Sequence, residues 1–187
     1  MAYLAGPDVF LPDARAHADR KVGICARHGI VGRPPLIEDV DSLRAMPDEQ
    51  AWRTIFGKDL AMMAECGAVI ANLTPFRGAS ADAGTLVELG WFLGRGLPVF
   101  GYSNSAAPFD ERSRAQVRAV PGLSVAGFGL PDNLMIPGAV LEGGGHPMVV
   151  PPDRRDWAFD ALDVFERCVE AAAWRLGLKP RPAWAGA

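Results

Sequence analysis

Cysteine and histidine are scarce in this chain, and neither is placed for chemistry. The 187 residues hold three of each. Cys25, Cys66 and Cys168 are odd in number, far apart and without a CxxC pair, which argues against a disulfide framework and suits free thiols in a reducing compartment. His17, His28 and His146 are scattered singly, so neither a zinc-ligand spacing nor a Ser-His-Asp arrangement has its residues nearby, and no metal or other cofactor is expected. Long apolar runs are missing as well, none reaching the roughly 20 residues of a membrane span. The first residues carry neither a basic n-region nor an apolar h-region, and a cytoplasmic location is expected. Positive charge is not in excess. A formal charge of −3 without a basic stripe argues against polymeric nucleic acid as a partner, while single nucleotides and nucleosides stay open.

What is present describes one ordinary α/β domain. The apolar fraction is 49% and the charged fraction 22%, and a chain of this length buries roughly 70% of its unfolded surface in a single core. The domain is expected over residues 1–178. A tail at 179–187, with Pro180, Pro182 and Trp184, is expected to be extended or disordered and available to a neighbouring subunit.

The stretch 67–101 organises the rest. Ala68-Val69-Ile70-Ala71 and Leu97-Pro98-Val99-Phe100-Gly101 are short strand-like runs, and Thr85 to Leu93 between them is nearly continuous apolar helix. Asp82 is placed to N-cap that helix and Gly94 and Gly96 to end it. A βαβ unit of this kind belongs to a parallel sheet whose ligand site lies beyond the carboxyl ends of its strands. The loop 72–81 would sit there.

Glu88 is the informative residue of that helix. It is the only ionisable side chain between Asp82 and Arg95, among Leu86, Val87, Leu89, Trp91, Phe92 and Leu93. Two placements are open: turned to solvent, as most Glu are, or held near apolar surface early in a helix whose N-terminus favours an anion. Asp82, six residues earlier, would lie at the same end. Tyr3 leaves a similar choice. It ends a short strand, Met1–Ala5, and is either a core aromatic or a hydroxyl aimed into the site, with Gly6 allowing a ligand close to the backbone.

The remaining elements follow from periodicity and punctuation. Pro12 and Asp13 open a helix to His28, and residues 30–37 are a weak strand broken near Arg33 by two prolines. An acidic segment, Glu38-Asp39-Val40-Asp41, is either a solvated cluster or a cover for a pocket. A helix from Pro47 to about Cys66 contains Asp59, with Ile55, Leu60, Met62 and Met63 as core candidates. One or two helical turns are expected at 113–120, a flexible loop at Gly143-Gly144-Gly145, and a helix from Asp156 to about Leu176 with Phe159, Leu162, Phe165, Val169 and Ala173 as its stripe.

Five blocks, Tyr3-Leu4-Ala5-Gly6-Pro7-Asp8-Val9-Phe10, Asp59-Leu60, 68–78, Asp82–Gly90 and 127–135, resemble in order and spacing the nucleoside 2-deoxyribosyltransferase family. The resemblance covers roughly residues 2–136. It implies a single-domain, flavodoxin-like (Rossmann-like) parallel sheet with helices on both faces. It also implies a pentosyltransferase of nucleotide salvage that moves 2-deoxyribose between nucleobases, without a cofactor, in a homo-oligomer. By the same resemblance Glu88 is the nucleophile, Asp82 its partner carboxylate, Asp59 an acid near the base and Tyr3 the group that holds the nucleophile. Gly6, Phe10 and Arg77 are further candidates for binding substrate. Asn133, with Met135 beside it, would complete the sugar pocket of an adjacent subunit. Asn72 departs from a relative with the same Pro-Phe-Arg-Gly loop, which has Asp there, and the chain after Gly143 matches no pattern of the family.

The residue types suit the chemistry. Cleavage of an N-glycosidic bond passes through an oxocarbenium-like state that a carboxylate opposite the base stabilises and then traps as an ester, and a second base attacks that ester with net retention. The departing base needs a proton, which Asp59 could supply if its pKa is raised. Free 2′-deoxynucleosides and nucleobases fit beside Asp82 better than 5′-phosphates, which would bring like charge against it. Two other readings stay open. One is an N-glycoside hydrolase of nucleosides or nucleoside 5′-monophosphates, with Arg77 on the phosphate or else in a salt bridge. The other is a non-catalytic nucleotide-sensing module.

Overall fold

Alternation along four short strands decides where every helix goes. The computed structural model describes residues 1–36, 43, 45–117, 122, 124–125 and 127–185. Strands β1 (Ala2–Tyr3), β2 (Gly32–Arg33), β3 (Ala68–Asn72) and β4 (Val99–Tyr102) are all parallel, in the order β2-β1-β3-β4. An isolated parallel bridge from Tyr102 to Val149 stands where a fifth strand would continue the flavodoxin-like order.

Because successive strand residues face opposite ways, Ala2, Leu4, Ala68, Ile70, Phe100 and Tyr102 pack on one side with helix α1 (Ala14–Arg27) and the C-terminal helix. Tyr3, Ala5, Val69, Ala71 and Val99 pack on the other. That second layer contains α2 (Asp48–Glu65), α3 (Ala83–Gly94) and a later helix, through Met63, Leu89, Phe92 and Val140. Helices therefore cover both faces, as the resemblance implies. Tyr3 and α3, the helix of Glu88, share one face. Of the expected core positions of α2 only Met63 is fully buried, while Leu60 and Met62 pack at the edge.

The second half departs from the pattern reading in several places. Helix α4 runs Phe109–Val117 and so starts before 113, with Asp110 and Glu111 in its first turn where they complement the helix dipole. The triple glycine is not a flexible loop. It closes helix α5 (Met135–Gly144), with Gly145 in the left-handed conformation at φ 62° as the C-cap. A Cβ on Gly143 would sit 3.0 Å from Val99 Cβ, and one on Gly144 would overlap the Val99 carbonyl oxygen, so these glycines let α5 lie directly on β4.

Helix α6 covers Asp163–Arg175, seven residues short of its expected start, because Asn104 pins the preceding turn. Its side-chain NH2 donates to the carbonyls of Ala158 (2.9 Å), Phe159 (2.9 Å) and Ala161 (3.0 Å). Phe159 and Leu162 thus precede the helix. The tail returns to its own chain: Trp184 packs beside the core, donates to Glu170 and lies under the Arg167 guanidinium at 4.4 Å. The pocket-covering role considered for 38–41 falls outside the described residues.

Candidate active site

The strand pleat and one helical turn bring four sequence-predicted residues together. Tyr3 ends β1 facing α3, with its ring 6.1 Å from that of Phe92, and its hydroxyl donates to Glu88 Oε1 at 2.7 Å. Tyr3 is fully buried and Glu88 partly so. Asp82 N-caps α3, accepting from the Thr85 amide at 3.1 Å, which fixes the first turn and hence where Glu88 emerges one turn on. Asp59 approaches from α2. Burial pushes the Glu88 carboxyl up to about 7 against the pull of the Tyr3 hydrogen bond, and the charges of Asp59 and Asp82 push it further the same way. Burial also raises Asp59. Burial, and then the adjacent Glu88 charge, keep the Tyr3 phenol firmly protonated, so it remains a hydrogen-bond donor. Near neutrality Glu88 is therefore shared between its protonated and ionised forms.

Cavities open on both sides of this group. One of about 550 Å³ has Asp59, Ile55, Met62 and Arg33 in its wall. The other, of about 770 Å³, has Asp82, Ser80, Arg77, Phe76 and Asn133. Each is large enough for a small-molecule ligand. Glu88 lines neither; its two carboxylate neighbours do.

Gly6 holds the strand-end loop against a buried ionic cluster that sequence reasoning missed. Lys21, 2% exposed, donates from Nζ to Asp8 Oδ2 at 2.7 Å, and Asn72 Nδ2 donates to Asp8 Oδ1 at 2.8 Å. His17 Nε2 stands 3.4 Å from the same Oδ1. Burial works to raise Asp8, but the Lys21 ammonium and these polar contacts hold it well below the ordinary carboxylate range. Asn72 is explained here, since with Asp8 ionised beside it an amide donor fits where a second carboxylate would repel. A Cβ at Gly6, whose φ is 154°, would come within 2.7 Å of Asn72 Cβ and 2.8 Å of Asp8 Oδ2.

Arg77 makes no ion pair among the described residues. It sits instead at 4.7 Å over the rings of both Phe10 and Phe76, and its own φ is 55°. This replaces the salt bridge considered for it. Phe10 stacks on Phe76 with centroids 5.5 Å apart, and Phe76 meets Phe159 at 5.9 Å. Asn133 is exposed and lines the Asp82-side cavity of its own chain. Its Oδ1 accepts from the Met135 amide at 3.1 Å. The buried Asp132 beside it accepts from Ser80 Oγ (2.6 Å) and the Ala81 amide (3.0 Å), tying this segment to the loop before Asp82. Arg112 ties the same loop down through the carbonyls of Ala79 (2.8 Å) and Pro131 (2.6 Å). Asp8, Lys21, Asp132 and Arg112 carry no local signal in the sequence; only the fold makes partners of them.

Residues 2–135 match the family model described as nucleoside 2-deoxyribosyltransferase. The chain belongs to the nucleoside 2-deoxyribosyltransferase family. A structure described as the 2-desoxiribosyltransferase from Leishmania mexicana is 32% identical, covers 72% of this chain and 83% of its own, and superposes with a TM-score of 0.59. An uncharacterized protein of Schizosaccharomyces pombe is 28% identical over 195 residues, which is 93% of this chain and 89% of that one. Tyr3, Gly6, Phe10, Asp59, Arg77, Asp82, Glu88, Asn133 and Met135 all fall inside the family match. Phe159 and Asn104's partners in the 158–161 turn fall beyond it.

Proposed function

We propose that this member of the nucleoside 2-deoxyribosyltransferase family transfers 2-deoxyribose between nucleobases through a covalent glycosyl-Glu88 intermediate. The observation that carries the reading is the 2.7 Å hydrogen bond from Tyr3 to a partly buried Glu88, with Asp59 and Asp82 near enough to raise its pKa. In the first step the C1′–N bond breaks, Glu88 closes on C1′ as an ester, and Asp59 gives its proton to the departing base. In the second a new base attacks C1′, the ester electrons return to Glu88, and Asp59 takes up the proton that the incoming nitrogen loses. Two inversions give retention. Tyr3 orients the nucleophile and lowers its pKa, so more of it is ionised at neutral pH. Asp82, Gly6, Phe10, Asn133, Met135 and Arg77 bind substrate in this reading.

A neighbouring subunit is part of the proposal. Phe128, Leu134 and Met135 leave large apolar side chains exposed around Asn133, with Met135 72% exposed. Covering that patch with a second copy of the chain would keep water from the glycosyl ester, which separates transfer from hydrolysis. A cytoplasmic setting suits the three free, buried thiols.

Hydrolysis of nucleosides or their 5′-monophosphates is the second reading, favoured by one observation: Arg77 faces the Asp82-side cavity with no carboxylate paired to it among the described residues. Incubation with deoxyinosine and adenine tests both. Deoxyadenosine is the expected product; hypoxanthine with free deoxyribose, without deoxyadenosine, would establish the hydrolase, and deoxyinosine and its 5′-monophosphate both left unchanged would leave a sensing module. Glu88→Ala is expected to abolish transfer with the fold intact, and full activity in that variant would refute the assignment.

A further inference from the structure

Behind Phe10 the chain builds a ladder of three aromatic rings whose last member comes from outside the family match. Phe10 is 58% exposed and stacks nearly parallel to Phe76, at 11° between planes. Phe76 in turn rests on Phe159, at 5.9 Å and 39°. The Arg77 guanidinium lies against the first two rings, so their electron-rich faces are held by a cation while Phe10 keeps much of its surface free. Phe159 cannot drift, because its own carbonyl and those of Ala158 and Ala161 all accept from one buried Asn104 side chain. Asn104 is itself held by its backbone amide to Thr74 Oγ1 at 2.9 Å, two residues before Phe76. The turn 158–161 and the 74–77 loop are thus joined through Asn104, and the ladder lies across the join. The ladder's outer end is exposed, and what it determines is the plane of the Phe10 ring.

We propose that Phe159 is a positioning residue that sets the Phe10 ring as a stacking platform for the nucleobase. The inference rests on the proposed function for the identity of the ligand, a planar heteroaromatic base, and on the rings alone for the mechanism. Loss of one aromatic contact from the ladder should weaken base binding without touching the reacting carboxylates. The effect belongs in KM for the nucleoside and in the dissociation constant of the free base, with kcat nearly unchanged.

The test is titration calorimetry of the full chain and its variants with adenine, hypoxanthine, cytosine and thymine, alongside steady-state kinetics with deoxyinosine and adenine. Phe159→Ala and Phe159→Leu are expected to weaken binding of the preferred base by about 3-fold and at most about 10-fold, the full worth of one aromatic pair being the upper bound because the Phe76–Phe159 contact is present in the free protein too. Phe159→Tyr keeps the ring and should behave as wild type. Phe159 is only partly buried, so all three variants should fold, with thermal midpoints near that of wild type. Equal binding by wild type and Phe159→Ala, wild-type binding by Phe159→Leu, or a loss of kcat at constant KM would overturn the inference, as would a wild type that binds none of the four bases. A wild type that binds a base through Phe159 but transfers no sugar would leave this inference standing and refute the proposed function.

Discussion

At the scale of single residues the site is a problem of where protons sit. In the proposed mechanism Glu88 is ionised when it acts on C1′, yet burial and two neighbouring carboxylates hold its pKa up at about 7, and only the Tyr3 hydrogen bond works the other way. Activity is therefore expected to rise with pH through about 7 as Glu88 loses its proton. Tyr3→Phe removes the opposing contribution and should move that acidic limb to higher pH, with kcat/KM at pH 6 falling nearly tenfold for a shift of about one unit. Asp59→Asn removes the carboxylate that repels Glu88 when ionised and should move the limb the other way, and because Asp59 donates only while protonated in the proposed mechanism, the variant should also lose kcat/KM across the whole range. A kcat/KM profile of each variant from pH 5 to pH 9 checks both signs, and an unmoved limb in Tyr3→Phe would separate Tyr3 from the titrating group. Asp8 poses the opposite case. Its ionised form is held by Lys21, and Asp8→Ala would strand a buried ammonium, with an expected loss of about 3–5 kcal/mol in denaturant-measured stability. Glu88 stood out in the sequence as the lone charge of an apolar helix. Asp8 and Lys21 did not, since thirteen residues and a turn separate two partners that meet only after α1 folds back over β1.

Elements were legible where a local rule was sufficient to form them. Asp82 caps α3 as its position predicts, and Gly94 with positive-φ Gly96 ends it, because capping and helix termination depend on the first and last turns alone. The same rules misread Gly143 and Gly144, whose reason lies across the fold in β4, and the start of α6, which Asn104 delays from the loop after β4. Gly144→Ala tests the first of these. It is helical, so propensity alone predicts a gain, whereas overlap with the Val99 carbonyl predicts a loss of about 1–3 kcal/mol. Thermal unfolding of the variant decides between them, and a raised midpoint would mean that α5 does not lie on β4 as closely as described.

Across the whole molecule the site's chemistry and the chain's stability oppose one another. A parallel α/β sheet was readable from the βαβ pattern of 67–101, while the flavodoxin-like arrangement with helices on both faces came with the family resemblance, and that Tyr3 shares a face with α3 emerged only from the fold. The energetic consequence was not readable, because it depends on how far Glu88 is withdrawn from water. A carboxyl whose pKa is near 4.5 in the unfolded chain and about 7 in the folded one binds more protons when folded between those values. Folding stability therefore falls as pH rises from about 4.5 to 7, is lower by a constant amount above, and is unaffected below. Glu88→Gln removes that penalty and keeps an acceptor for the Tyr3 hydroxyl. The variant should be more stable than wild type by about 1–3 kcal/mol at pH 8 and indistinguishable from it at pH 4, measured by urea unfolding at both. It should also be inactive as a transferase. A gain at pH 8 with lost activity would locate the cost of burying the proposed nucleophile at one side chain, whereas equal stability at both pH values would mean that water reaches Glu88 freely.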